Sequence, residues 1–211
     1  MYMKVKLLAA AAILFGSISV QAQKTSTSGK IGKLSVIAFN AINKNGNKMV
    51  SAIKPTTTAL SDADQQLLMQ VAAGGQRQLA LSQALLDKVS NRQVKLLAAS
   101  EVEEQTNLSA KLQEIATAKG VTLPSDADTA AQGLVSQTQQ LAGADADNFY
   151  LAEGGIKGHE LLQTTMQTVL KTAKDPTLKK LATATLPVIR THLKVSRDVR
   201  AMMRTGATAA R

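Results

Sequence analysis

The stretch that decides the fold is residues 159–193, HELLQTTMQTVLKTAKDPTLKKLATATLPVIRTHL. Apolar residues recur every three or four positions on both sides of Asp175-Pro176, which predicts two amphipathic helices joined by a tight turn. His159 lies sixteen residues before Asp175, and His192 lies sixteen residues after Pro176. Because a helix rises about 1.5 Å per residue, both histidines are predicted to lie at one level, about 25 Å from the turn.

The same helical periodicity extends over most of the chain. Ser61, Asn91 and Ser125 stand where helix N-caps are expected, and Pro187 predicts a kink in the last helix. Two long helical hairpins joined through a short helix predict an all-α fold, an antiparallel four-helix bundle. The predicted helices cover about 62–89, 92–118, 126–142, 145–173 and 176–203.

The first residues resemble an export signal. Lys4 and Lys6 precede an apolar run over residues 7–20, and small residues lead to Ala22. This pattern predicts a signal peptide over residues 1–22, cleaved after Ala22, and a protein exported to the periplasm or the outer envelope. The run is shorter than the roughly 20 apolar residues that span a bilayer, so no transmembrane span is expected in the mature protein.

The rest of the chain divides into three predicted parts. Residues 23–60 are interpreted as a basic N-terminal extension or linker, residues 61–203 as the bundle, and residues 204–211 as a tail. Within the extension, apolar residues flank the turn signal Asn45-Gly46. Both short helices and a hairpin fit this pattern, and short helices are favoured.

Composition and charge exclude several function classes. The chain has no cysteine, so thiol catalysis and thiolate metal sites are excluded. Only Phe39, Phe149 and Tyr150 provide aromatic rings after residue 22, which argues against sugar and nucleic-acid stacking sites. The basic charge is placed at the two ends: residues 23–60 carry six lysines and no acid, and residues 171–211 carry ten basic and two acidic residues. No phosphate-loop, dinucleotide or nucleophile-elbow motif occurs.

Four ordered segments carry a family resemblance: LSDADQQLLMQVAAGGQRQLALSQALL, EVEEQTNLSAKLQEIATAKGVTLP, NFYLAEGGIKGHELL and DPTLKKLATATLPVIRTHL. Over roughly residues 60–203 the chain resembles an exported bacterial domain-of-unknown-function family whose members are often labelled predicted outer membrane protein. The resemblance implies a ferritin-like fold and no established activity. It also implies that relatives carry a carboxylate near Gln78, an Asp-His pair near Glu104–Gln105, and the two histidines that match His159 and His192.

A polar core layer is predicted by counting along both hairpins. Gln78 lies thirteen residues before Asn91 and Gln105 fourteen after it, so these two amides are level with each other as the histidines are. The carboxylates Glu101, Glu103 and Glu104 point in several directions from one helix and are expected to be mostly solvated. The candidate layer comprises Gln78, Glu104, Gln105, His159 and His192.

Three hypotheses for this layer stay open, one of which is that the histidines are partly exposed and have no special role. The favoured one is a structural set of hydrogen bonds that fixes helix register, with no cofactor. The alternative is a weak divalent-metal site formed by His159, His192 and Glu104, since neutral amides are poor ligands. A di-iron site of the ferritin type is not expected, because Ile156 and Ile189 stand three residues before the histidines, where that site needs glutamate.

The last predicted helix also carries a basic face. The favoured expectation is that this face is solvated. The alternative is that it binds an anionic lipid surface or an envelope polymer. The function expected first is therefore a non-enzymatic structural or binding role in the cell envelope, with a metal- or redox-linked role and anionic-surface binding as alternatives. The basic face comprises Arg190, Lys194, Arg197, Arg200 and Arg204.

Overall fold

The computed structural model describes residues 29–124 and 128–209. The predicted signal peptide and the predicted cap at Ser125 lie outside these residues. The described chain is all-α apart from one antiparallel pair of short strands, in which Lys30 is opposite Ser35 and Ile31 opposite Leu34. In order, the elements are β1 (Lys30–Ile31), β2 (Leu34–Ser35), α1 (Val36–Ser51), α2 (Asp62–Leu85), α3 (Arg92–Lys119), α4 (Thr129–Gln137), α5 (Gly143–Phe149), a π-helical segment (Tyr150–Gly158), α6 (His159–Thr172) and α7 (Pro176–Ala209).

Local sequence signals account for most helix ends. The Ser61 side chain accepts from the Asp64 backbone N–H at the start of α2, and Asn91 accepts from two backbone N–H groups at the start of α3. Gly120 ends α3 in a left-handed conformation with φ of 69°. Helix α4 begins later than predicted, at Thr129, because Asp128 provides its cap.

Two helix pairs build the core. Helix α2 packs along α3, and α6 packs along α7; α2 also contacts α6, and α3 contacts α7. Buried apolar side chains form two clusters, one around Leu68, Met166 and Leu181 and the other around Leu85 and Leu97. On each of these helices the polar layer lies between the two clusters. Within the described ranges, no helix is long and apolar enough to cross a membrane.

The helix before His159 differs from the regular α-helix predicted over 145–173. It is π-helical over Tyr150–Gly158, a segment that contains Gly154, Gly155 and Gly158. A methyl group added at Gly155 would lie 2.6 Å from the Ser196 Oγ, so the missing side chain allows the segment to approach α7. The π-helical turns of this segment are wider than those of an α-helix, and at Gly155 its backbone lies close to α7.

Two further predictions were wrong in detail. Helix α2 ends at Leu85 rather than near residue 89, because the chain turns there and Val89 bridges to Gly143. Helix α7 contains Pro187 but continues without a break to Ala209, beyond the predicted end at residue 203.

Helix α1 agrees with the helical structure favoured for this part of the chain, and no hairpin turn forms at Asn45-Gly46. Both residues lie inside α1, and a Cβ at Gly46 would lie 2.3 Å from a Val188 methyl carbon. The glycine thus permits close contact between helices and does not mark a turn. Residues of α1 pack against both α7 and α3, so this segment covers one side of the α3–α7 contact.

Buried charged side chains at the start of α2 and the end of α3 bind the turn between α6 and α7. The Asp64 carboxylate accepts from the backbone N–H groups of Lys174 and Asp175. Asp175 in turn caps α7 by accepting from the Leu178 and Thr177 backbones, and it forms an ion pair with the Lys119 ammonium. Burial raises the pKa of the Asp175 carboxyl, but the hydrogen bond and charge of Lys119 and the bonds from the Leu178 and Thr177 backbones together outweigh burial, and the net pKa lies below its ordinary value.

Substitution Asp175→Asn is expected to destabilise the protein in a pH-dependent way. A depressed pKa contributes stability that is present above the ordinary carboxyl value, about 3.9, and is lost as pH falls through the folded value. Urea unfolding should give a loss of about 3 kcal/mol at pH 7, since breaking a buried pair costs about that much, and a smaller loss below about pH 4. The exposed Asp87→Asn change is the control; a loss that is the same at all pH values would contradict this assignment.

Candidate functional site

Glu101 is the centre of the polar layer. Its side chain is fully buried, and its Oε2 atom lies 3.0 Å from His159 Nε2 and 2.9 Å from His192 Nδ1. Its Oε1 atom accepts from the amide of Gln105 at 2.9 Å and from that of Gln78 at 3.5 Å. One carboxylate therefore joins α3 to α2, α6 and α7.

The expectation that this carboxylate is solvated was wrong. Glu101 is 0% exposed and Glu104 is 7% exposed, whereas Glu103 lies at the surface. Residues three apart on a helix share a face, so Glu101 and Glu104 turn inward together while Glu103 points away. The signal in the sequence was the spacing of Glu101 from Ala98 and Gln105, which places it on the inward stripe of α3.

The structure brings the five residues of the predicted layer into one buried group. Gln78, Gln105, His159 and His192 are each at most 3% exposed, and the two imidazole rings meet edge to face with centroids 5.3 Å apart. Gln78 also donates to the Gly154 carbonyl at 3.1 Å. Glu104 contributes a buried oxygen atom, Oε2, that has no hydrogen-bond partner.

Each histidine has an outer ring nitrogen, the one that points away from Glu101, and this nitrogen contacts an oxygen atom. His159 Nδ1 lies 2.9 Å from the Gly154 carbonyl oxygen, which can only accept, so this nitrogen carries a proton. His192 Nε2 lies 2.9 Å from Asn43 Oδ1, and the His192 ring stacks on Phe39 with centroids 5.1 Å apart. In both rings the inner nitrogen is the one that faces Glu101.

Sequence reasoning missed Phe39 and Asn43 because it treated residues 23–60 as an extension. The two lie four residues apart on the face of α1 that packs against α7, and they contact the same imidazole. An asparagine one turn from the buried Phe39 was the available signal, since positions four apart share a helix face.

Burial and mutual attraction set the charges of the layer. Burial raises the pKa of Glu101, but attraction to His159 and His192 outweighs burial, so the net pKa lies well below the ordinary value. Burial lowers the pKa of His159, but the Glu101 charge and the hydrogen bonds to Glu101, Gly154 and Gly155 together outweigh burial, and the net pKa is raised. Burial lowers the pKa of His192, and burial together with repulsion from Glu101 raises that of Glu104. These shifts favour the charged forms of Glu101 and His159 and the neutral forms of His192 and Glu104.

Glycines leave room for the amides of the layer. A Cβ at Gly158 would lie 2.1 Å from Gln78 Oε1, and one at Gly75 would lie 2.8 Å from Gln105 Oε1. Each glycine thus faces a glutamine from the neighbouring helix. The missing side chains let these amides reach Glu101.

The predicted basic face is partly neutralised by acidic neighbours. The Arg197 guanidinium lies 2.6 Å from Glu160, and the Lys194 ammonium lies 2.7 Å from Asp198. Arg190 and Arg204 are exposed, and Arg200 is half-buried. Two of the five cations therefore already have carboxylate partners.

The residues that could hold a metal ion are Glu101, His159 and His192. Their nearest donor atoms all lie within 4.8 Å of one another, and all three side chains are buried. The set differs from a di-iron site, since Ile156 and Ile189 occupy the positions that would carry glutamate. The arrangement suits a single ion held by nitrogen and oxygen.

The Gly158→Ala substitution is expected to destabilise the protein by about 1–3 kcal/mol, the usual cost of overpacking a core. The added methyl group occupies the position of the Gln78 amide and forces that amide away from Glu101. Thermal unfolding measures the effect. Gly133→Ala on α4, where nothing lies within 4 Å of an added Cβ, should be neutral or stabilising. Equal destabilisation by both substitutions would contradict this account.

Comparison with known proteins identifies a domain of unknown function. No curated protein and no solved structure matched the chain. One family model matched residues 50–199, which include α2, α3, α6 and most of α7 and exclude all but the last two residues of α1. The chain belongs to the family described as Domain of unknown function (DUF4142).

Proposed function

We propose that this protein is an exported, non-enzymatic protein of the bacterial cell envelope, with a ferritin-like four-helix framework, that binds one divalent metal ion at Glu101, His159 and His192. Export is supported by the signal-like residues 1–22. Metal binding was the less favoured hypothesis from sequence, because the neutral amides Gln78 and Gln105 stand where the family resemblance implies an acid and an imidazole. In the structure, Glu101 supplies a carboxylate that contacts both imidazoles.

The observation that carries the proposal is the direction of the two imidazole rings. Each outer nitrogen faces a fixed oxygen atom, at Gly154 or Asn43, and each inner nitrogen faces Glu101 Oε2. Metal-binding histidines characteristically donate their second N–H to a carbonyl or carboxylate in this way. When the inner nitrogens lose their protons, both rings direct lone pairs toward the space beside Glu101, where a cation would be attracted by the two nitrogens and by the carboxylate.

The spacing of the donor atoms fits a small dication. Metal–nitrogen and metal–oxygen bonds of about 2.0–2.1 Å in a tetrahedron separate neighbouring donors by about 3.3 Å. Glu101 Oε2 lies 3.0 Å from His159 Nε2 and 2.9 Å from His192 Nδ1. Small outward movements of the side chains would therefore admit an ion.

Donor chemistry narrows the class of ion. Imidazole nitrogen suits zinc and other late first-row dications, whereas calcium and magnesium take oxygen ligands almost entirely. The missing glutamates at Ile156 and Ile189 argue against a two-iron oxidase. Anionic-surface binding remains an alternative, but two of the five cations on the basic face are paired with carboxylates.

The test is zinc titration of the full chain after treatment with a chelator. One equivalent of Zn²⁺ should bind, and zinc at about 100 times its Kd should add about 2.7 kcal/mol of stability. For a chain of this size, that gain corresponds to a rise in Tm of about 5–10 °C. Calorimetry and thermal unfolding give the two readouts.

Variants separate this site from adventitious binding. Glu101→Gln and His159→Ala should abolish both the uptake and the rise in Tm, and the surface change Glu103→Gln should leave both intact. Wild-type protein that binds no zinc, cobalt, copper or iron would overturn the proposal in favour of a purely hydrogen-bonded layer.

A further inference from the structure

A buried carboxylate oxygen next to the proposed ion has no partner. Glu104 Oε2 makes no hydrogen bond, although it is shielded from solvent, and it lies 3.6 Å from His192 Nδ1. That distance is too long for a hydrogen bond and close to the separation of about 3.3 Å between ligands of one tetrahedral ion. Since buried polar atoms rarely lack a partner, this one requires an explanation, and an ion between Glu104 and His192 supplies it.

The geometry of α3 places Glu104 beside Glu101 on the same face. The two are three residues apart, and both approach the same nitrogen of His192, at 2.9 Å for Glu101 and 3.6 Å for Glu104. An ion held by Glu101, His159 and His192 would meet one oxygen and two nitrogens, and a movement of the Glu104 carboxylate toward it would add a second oxygen from α3. Four donors from three helices would then surround it.

Charge balance also favours four ligands. A dication held by two carboxylates and two neutral imidazoles forms a group with no net charge, which suits a fully buried position. With only Glu101 ionised, the same ion would leave one positive charge uncompensated in the core.

We infer that Glu104 is the fourth ligand, so that the ion is enclosed by four protein atoms and ties α3, α6 and α7 together instead of activating water. This inference rests on the proposed metal site. Catalytic zinc sites keep one position open to water or substrate, whereas structural sites use four protein ligands. The burial of all four side chains, each at most 7% exposed, agrees with a closed site.

The experiment uses Co²⁺ as the probe in the full chain, because its visible absorption responds to the coordination sphere. Wild-type protein, Glu104→Gln and Glu103→Gln are each titrated with Co²⁺, and azide is then added to the loaded proteins. Glu103 is the matched control, since it neighbours Glu104 on α3 and points to the surface.

The wild-type spectrum and that of Glu103→Gln should be unchanged by azide, because no coordination position is open. Glu104→Gln should bind Co²⁺ about 100-fold more weakly or worse, since loss of even an outer-shell partner costs about 10–100-fold. Its spectrum should change when azide occupies the vacated position.

Three outcomes would contradict, respectively, metal binding, the closed coordination of the ion, and Glu104 as a ligand. Wild-type protein that takes up no Co²⁺ or Zn²⁺ would remove the proposed function itself. A wild-type Co²⁺ spectrum that shifts with azide would leave metal binding in place and refute the closed site, even if Glu104→Gln does not fold. Equal Co²⁺ affinity and equal spectra for Glu104→Gln and Glu103→Gln would refute Glu104 as a ligand.

Discussion

The rest of the structure depends on one buried negative charge, the carboxylate of Glu101. An isolated carboxylate in an apolar interior costs several kcal/mol, so it must be neutralised and hydrogen-bonded. The molecule meets this requirement with two imidazoles and one amide from three other helical segments and with the Gln105 amide of α3 itself. Because each of these partners has to point inward at one height, the carboxylate sets the register of the helices that surround it.

The two apolar clusters on either side of the layer have a different role. They provide non-directional burial that brings the helices together, as Leu68, Met166 and Leu181 do below the layer and Leu85 and Leu97 do above it. Apolar contacts alone tolerate sliding of one helix along another. The polar layer removes that freedom, and glycines such as Gly75 and Gly158 let the helices carry long amides at short range.

Helix α1 extends the site beyond the region matched by the family. Its Phe39 and Asn43 hold the His192 ring, and Gly46 lets it lie against Val188. The orientation of one imidazole of the layer is therefore set by a segment that lies almost wholly before residue 50. The hydrogen bond between Asn43 and one ring nitrogen of His192 determines that the other nitrogen faces Glu101. That second nitrogen is the one that can bind a proton or a metal ion.

Taken alone, the sequence determined the features that depend on neighbouring residues: the helical periodicity, the helix caps and the spacing from a turn. Periodicity gave the all-α class, Ser61 and Asn91 marked helix starts, and equal spacing from the Asp175-Pro176 turn predicted that His159 and His192 lie level. These features depend on residues within a few turns of one another. Only the tertiary structure decided that Glu101 and Glu104 turn inward, that the chain before His159 is π-helical, and that Asn43 reaches His192. Each of those depends on contacts between residues far apart in sequence, where packing against a neighbouring helix outweighs local preference.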